Sequence, residues 1–310
     1  MSISKIIPRI FKRNEEHGSL KSLFLMVVML VMAASSTFAQ ASFETIDGIR
    51  YLVDSDAKTA TIVALSGDQK YTGDVVMPLK VKAQDGVEYP ITAFGDNAFK
   101  ECRSLTSINI PSSVTSLGSY CFYYCDGLTS INIPSSVTSV GDWCFSDCSN
   151  LTSINIPSSV TSLGDGCFSD CFKLTRISIP SSVTSLGDYC FLNCSLTSIN
   201  IPSSVTSLGE SCFYNCDRLT SINIPSSVTS LSSYCFGGCS NLTSINIPSS
   251  VTSLGQSCFS YCSNLTSITI PASVKQIGSS CFNPNRSLEK ASCHFLMTAI
   301  RKTALYMLDS

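Results

Sequence analysis

The chain has 310 residues, a formal net charge of -2 and only 14% charged residues, against roughly 25% in an average domain. That balance gives no reason to expect a nucleic-acid partner, whose capture rests on a basic surface, and it leaves serine, threonine and asparagine to cover much of the exterior. The length is ample for a buried core, and 44% of the residues are hydrophobic.

Residues 1–39 read as an export signal. Lys5, Arg9, Lys12, Arg13 and Lys21 precede the apolar run LFLMVVMLVMAA, and the small residues of SSTFAQA come next. The run falls short of the roughly 20 residues that span a bilayer, and the order basic, apolar, small is that of a secretory leader. Cleavage is expected after Ala39 or Ala41. The mature chain is then secreted or displayed at the cell surface, with no membrane-spanning segment.

Residues 40–104 are expected to form an N-terminal cap with an irregular first coil. YLVDSDAKTATIVAL, at 51–65, has the alternation of two short strands around a turn. Further on, VVMP at 75–78 and ITAFGDNAFKEC at 91–102 are faint copies of a phrase repeated from Leu105 onward, separated by an insertion.

From Leu105 the phrase LTSINIPSSV or a close variant begins again at Leu128, Leu151, Leu174, Leu196, Leu219, Leu242 and Leu265. The period is 23 residues, with one step of 22 between Leu174 and Leu196. A leucine-rich strand phrase at such a period marks a leucine-rich-repeat solenoid, in which no unit can bury its apolar face alone and neighbours must stack. Residues 105–287 form eight such units. Leu105, Ile108 and Ile110 should point inward and Ser107 and Asn109 outward, because side chains alternate along a strand. Pro111, lacking an N–H, ends the strand. Val114 and Leu117 form a second inward pair before Gly118, where a tight bend is expected. SYCFYYC then suits one short helical turn with Cys121, Phe122 and Cys125 inside. Each coil is thus expected to be short parallel strand, turn, second extended segment and short helical turn. Residues 288–310 supply a last strand, with Leu288, Ala291 and Cys293 in the inward spacing, and a capping tail that could be an amphipathic helix.

LTSINIPSSVTSLGDYCFLNC resembles the repeat of the BspA-like leucine-rich-repeat family, commonly written L-x-x-I-x-I-P-x-x-V-x-x-I-G-x-x-A-F-x-x-C. The resemblance runs over residues 75–293, with strand, proline, glycine, phenylalanine and second cysteine in register. It implies a secreted or surface protein of bacteria, and it implies adhesion to host matrix proteins or to other cells. The family's alanine before phenylalanine is cysteine in most coils here.

Seventeen cysteines resolve into seven C-x-x-x-C pairs, from 121/125 to 258/262, plus Cys102, Cys281 and Cys293. Three readings stand open: reduced core residues, disulfides between coils, and metal binding. A disulfide within a pair is disfavoured, since residues four apart on a helical turn have poorly converging Cβ vectors. Packing is favoured because Ala98 takes the first slot in the opening coil and Asn285 the second in the closing one, as a small buried position would allow.

No catalytic constellation emerges, and no cofactor is expected. The histidines are His17, in the export signal, and His294, near the end. The serines occupy repeated structural slots without a base in register. Asp142, Asp147, Asp165 and Asp170 fall on variable turns, where solvated loop residues are the plain reading. Binding suits a solenoid, and the partners expected are proteins or glycoproteins of a host or of neighbouring cells. The chain offers two candidate surfaces. One is the strand face, with Asn109, Asn132 and Asn155 in one outward column and Arg176 in the other; stacked asparagines could also bond to one another along the column. The other is the turn edge, with Tyr120, Tyr124, Trp143, Tyr189, Tyr214, Tyr234 and Tyr261, since exposed aromatics are enriched at contact sites. The alternative is a passive spacer, which the near-identity of the coils would suit.

Overall fold

The computed structural model describes residues 41–285 and the strand Lys290–Cys293. The segment expected to be an export signal, His294 and the tail lie outside the described residues.

Strands β1 (Ala41–Ile46), β2 (Ile49–Asp54) and β3 (Thr59–Ile62) form an antiparallel meander. From β3 the pairing turns parallel, onto β6 (Glu88–Phe94), while β4 (Gly73–Val75) lies outside this sheet and β5 (Lys80–Lys82) runs antiparallel to β6. In turn β4 pairs β7 (Leu105–Ile108), and β6 pairs β8 (Ser116–Leu117), both in parallel. The hairpins thus cover what would otherwise be an open strand edge at the start of the solenoid. Tyr51, Ile62, Tyr89 and Phe94 fill the space beneath them.

Beyond β8 each coil repeats in register. Ser130, Ile131 and Asn132 face Ser153, Ile154 and Asn155, and Ser244, Ile245 and Asn246 face Ser267, Ile268 and Thr269. Between these pairs the ladder thins to single bridges, Asn155 to Ser178, Ser178 to Asn200, Asn200 to Asn223 and Asn223 to Asn246. Lys290–Cys293 continues it, with Ala291 beside Ile268 and Cys293 beside Ile270. Leucine, both isoleucines, valine and the second leucine of the repeat are buried throughout, as at Leu151, Ile154, Ile156, Val160 and Leu163. After the strand the proline carbonyl accepts the valine N–H three residues on, 3.0 Å from Pro134 to Val137, which closes the PSSV turn.

The glycine after the second leucine serves close approach rather than a special bend. A Cβ on Gly141 would sit 2.5 Å from the Ser119 nitrogen and 2.6 Å from the Gly118 carbonyl carbon of the preceding coil. Ser232 occupies the same slot, and there the second ladder is interrupted: Ser207–Leu208 pairs backward with Ser185–Leu186, while Ser230–Leu231 pairs forward with Ser253–Leu254. The Ser232 hydroxyl instead donates to the Leu208 carbonyl at 2.7 Å.

The expected helical turn is not formed. In SYCFYYC the backbone is left-handed at Tyr120 (φ 56°) and again at Tyr124 (φ 56°), and the same two slots recur down the chain, as at Trp143 and Asp147. Left-handed residues rotate their amides out of the helical direction. Tyr120, Phe122 and Tyr124 donate N–H to the Asp142, Cys144 and Ser146 carbonyls of the next coil, at 2.8, 2.8 and 3.0 Å. Only Tyr123 and Cys125 bond within the turn, to Tyr120 and Phe122. A bulky residue at positive φ costs on the order of 1 kcal/mol or more. That cost is offset by a backbone hydrogen bond along the stack.

Inside these turns the phenylalanines form a continuous pile. Phe99 and Phe122 stack at 5.2 Å with 7° between planes, and the series runs through Phe145, Phe168, Phe191, Phe213, Phe236 and Phe259 to Phe282 at 5.7 Å and 5°. Stacked pairs contribute about 0.5–1.5 kcal/mol each beyond burial.

The cysteines flank this pile in two columns, and all 16 whose side chains are described are buried and free. The columns differ in chemistry. From Cys125 onward each second-slot thiol donates to the phenylalanine carbonyl of the preceding coil: Cys125 to Phe99 at 3.1 Å, Cys148 to Phe122 at 3.1 Å, Cys171 to Phe145 at 3.2 Å, Cys194 to Phe168 at 3.0 Å. In the closing coil the Asn285 amide donates to Phe259 at 2.7 Å in the same manner. Asparagine therefore replaces cysteine as a donor, not merely as a small residue. The first slot carries no such bond, and Ala98 suffices there. Burial pushes thiols in both columns up, as at Cys167 and Cys171, and to about 12 at Cys262 and at Cys281.

Hydroxyls fasten the coils as well. Thr152 donates to Thr129 at 3.0 Å, Thr138 to Thr115 at 3.3 Å, and Ser182 to Val160 at 2.6 Å, always toward the carbonyl of the coil before. Serine and threonine thus account for cohesion as much as for solubility.

Candidate binding surfaces

On the strand face both outward columns are exposed as expected, including Asn109, Asn132, Asn155 and Arg176. In the first coil they meet the insertion: Asn109 exchanges hydrogen bonds with the Met77 backbone at 2.6 and 3.0 Å, and Ser107 donates to Asp74 at 2.6 Å. Hydrogen bonds from Ser107 and then Thr106 hold the Asp74 carboxyl below its usual range. No side-chain ladder links the outward asparagines further on among the described residues. Among the described residues the amides of Asn132, Asn155, Asn200, Asn223 and Asn246 have no protein partner and face solvent at coil spacing, about 4.8 Å.

The turn edge brings some of the aromatics together and leaves others apart. Tyr120 stacks on Trp143 at 6.4 Å and 6°, and Trp143 on Tyr189 at 6.1 Å and 26°. The second contact skips a coil because Gly166 stands between them. The indole lies over that glycine, whose Cβ would come within 2.2 Å of the ring. Tyr123 meets Tyr120 and Tyr124 edge-on. Lys100 sits 5.6 Å over Tyr120, and Arg103 sits 4.8 Å over Tyr124 while pairing with Asp126 at 3.5 Å. The Asp147 carboxylate beside it raises the Tyr124 phenol, and burial raises the Asp147 carboxyl. Tyr214 and Tyr234 form a separate edge-on pair at 6.1 Å, and Tyr261, 60% exposed, is remote from both groups. Except for Tyr120 and Tyr261, these rings are half-buried against one another. The edge is thus largely a packing column.

The turn carboxylates are structural. Asp142 accepts the Asp165 N–H at 3.0 Å, Asp165 the Asp188 N–H at 2.8 Å, and Asp188 the Glu210 N–H at 2.6 Å. Asp170 accepts from Ser169 and from the Asn193 amide. Among the described residues no group of three histidine, cysteine or acidic side chains is placed to hold a metal ion, and no helix is long and apolar enough to cross a membrane.

Two exposed residues escaped the sequence reading. Phe172 is 53% exposed although large and apolar, and Arg218 borders the same surface notch. The signal was present: CFKLTRISIP departs from the repeat at Phe172, Lys173, Arg176 and Ser178.

Comparison with known proteins agrees with this architecture. A family profile described as a BspA type leucine rich repeat region, six copies, matches residues 92–218 and 184–309. No curated protein matches significantly. Among solved structures, a leucine-rich cell surface protein of Faecalibacterium prausnitzii is 27% identical, with a TM-score of 0.52 over 81% of this chain and 88% of that one. The pneumococcal vaccine antigen PcpA is 14% identical, with a TM-score of 0.50 over 78% and 86%, a likeness of fold alone. A leucine-rich-repeat protein of T. pallidum is 24% identical, with a TM-score of 0.49 over 70% and 87%.

Proposed function

The chain belongs to the BspA-type leucine-rich-repeat family, and from that premise we propose that it is exported and binds protein or glycoprotein partners at the bacterial surface, through the outward strand face. Kinship with a bacterial cell-surface protein supports the location. One observation carries the choice of face. The threonine hydroxyls and the second serine of the PSSV turn are engaged with the neighbouring coil, whereas the strand face beyond Asn109 offers repeated amide donors and acceptors, beside the outward serines, that the fold does not use. Regular weak contacts on one scaffold add through avidity, so single amides need not bind tightly. The chemistry is that of recognition, with no catalytic role.

The test replaces five asparagines by serine, as Ser178 already stands in one coil: Asn132→Ser, Asn155→Ser, Asn200→Ser, Asn223→Ser and Asn246→Ser together. Binding of wild type and variant is compared on immobilised matrix proteins, mucins and bacterial cells. Five lost hydrogen bonds at about 0.5–1.5 kcal/mol each should weaken capture at least tenfold. Undiminished capture by the variant would move the contact to the turn edge. A passive spacer is the second reading, favoured by the near-identity of the coils; absence of wild-type capture on every surface would establish it.

A further inference from the structure

The single 22-residue step has a structural consequence. Seven coils place two residues between the second cysteine and the next leucine, as Ser149 and Asn150 or Asp217 and Arg218, whereas the coil at Cys194 has Ser195 alone. At this position other coils carry a ladder of their own. Asn150 donates to the Asp126 carbonyl at 2.7 Å, Asn241 to the Asp217 carbonyl at 2.7 Å, and Asn264 to the Asn241 side chain at 3.1 Å. Between Lys173 and Asp217 no such bond crosses the described coils. The missing residue leaves a notch of about 410 Å³, bordered by Phe172, Asn193, Ser195, Asn215, Asp217 and Arg218.

Charge singles out the same place. From residue 105 to 285 the basic residues are Lys173, Arg176, Arg218 and Lys275; Arg176 belongs to the short coil, and Lys173 and Arg218 close the coils on either side of it. Of the acidic residues nearby, Asp170 is engaged by Ser169 and the Asn193 amide, while the exposed Asp217 carboxylate shares the notch rim with Arg218; Lys173, Arg176 and Arg218 against these two leave the patch net positive. Lys173, Arg176 and Arg218 are exposed and make no ion pair among the described residues. Beside them Phe172 presents an apolar ring that is 53% exposed.

We propose that this notch is a docking site for an extended acidic peptide segment of a partner protein, with an apolar side chain against Phe172 and carboxylates on Lys173 at one end and Arg218 at the other, Arg176 adding positive charge from the strand face. This deepens the protein-binding reading and rests on it. Lys173 and Arg218 each stand just before a coil-opening leucine, two coils apart, about 10 Å, which an extended peptide covers in about three residues at 3.3 Å each. Acidic residues at i and i+3 around one apolar residue fit that span. The Asn215 side chain and the Asn193 side-chain oxygen, whose amide N–H is held by Asp170, border the path between them and can meet peptide amides. Bidentate pairing with a carboxylate is the geometry for which arginine is suited.

The experiment uses the full mature chain and a fluorescein-labelled synthetic peptide of that pattern, read by anisotropy at low and physiological salt. Three variants are compared. Arg218→Ala removes a charge. Phe172→Ser with Lys173→Asn and Arg176→Ser restores the sequence of neighbouring coils and so keeps the fold. Inserting one asparagine after Ser195 restores the 23-residue period and fills the notch. Each should weaken the peptide about tenfold or more, the factor carried by one lost charge-assisted hydrogen bond, and binding should fall with salt. Equal affinity of wild type and the insertion variant would overturn the notch. Binding of a sulfated or sialylated glycan probe, with none of the peptide, would overturn the choice of partner. If the peptide fails while matrix or cell capture by wild type persists, the docking site falls and the broader binding role stands.

Discussion

Cys167→Ala and Cys171→Ala delete the same atom from the same coil, yet the structure separates their effects. Both side chains are fully buried. Loss of the thiol from the core costs about 1 kcal/mol, near the value of a buried methylene. A residual cavity of about 20 Å³ adds about 0.5 kcal/mol at 24 cal/mol per Å³. Cys167→Ala should therefore cost about 1.5 kcal/mol, and Ala98, buried in the same slot of the first coil, shows that the fold accepts it. Cys171 also donates to the Phe145 carbonyl at 3.2 Å. That oxygen keeps the Cys148 N–H at 3.3 Å, so it becomes under-satisfied rather than orphaned. The added cost is about 1 kcal/mol, giving a total of about 2.5 kcal/mol. A stacked array unfolds partly by segments, so the measurement is hydrogen exchange of the amides around residues 166–171 under reducing conditions, supported by urea midpoints. Equal losses for the two variants, or a larger one for Cys167→Ala, would refute a donor role for the second column.

Other consequences can be measured on the same protein. Burial raises the Cys262 and Cys281 thiols from 9.0 to about 12; the stability this confers is fully present below pH 9 and is lost as pH rises toward 12, so melting temperature should be level from pH 7 to 8.5 and fall above pH 9. A melting temperature that holds level through pH 11 would contradict the burial. Gly141→Ala forces a Cβ to within 2.6 Å of two backbone atoms and should cost about 2 kcal/mol or more, read as a lower thermal midpoint; a change under about 0.5 kcal/mol would show that the coils can separate there. Gly166→Ala places a methyl where the Trp143 indole lies. Since Trp143 is the only tryptophan, its fluorescence should shift to the red as the ring is displaced into water, and an unchanged spectrum would refute the stacked edge.

The repeat itself was readable without coordinates because it is periodic in apolar residues. Leu151, Ile154, Ile156, Val160 and Leu163 alternate or skip as a strand and a turn require, and the burial of each follows from that pattern alone. The turn was misread for a definite reason. CFSDC has the spacing of a helical turn, but whether Trp143 and Asp147 take left-handed backbone depends on carbonyls 22 residues away, at Asp165 and Ser169, which accept their amides at 2.6 and 2.8 Å. No local propensity favours tryptophan at positive φ.

Sequence alone therefore determined the solenoid, its register and which side chains lie inside, since those follow from hydrophobic period and the need to stack. Tertiary structure decided what the polar and sulfur-bearing residues do. A thiol, a threonine hydroxyl and an asparagine amide look alike as small polar groups in a repeat. Only their distance to the neighbouring coil's carbonyl separates the second cysteine column, which holds the stack together, from the asparagine column that is left facing outward. The same holds for the missing residue at Ser195: as sequence it is a change of period, and as structure it is an opening between two coils.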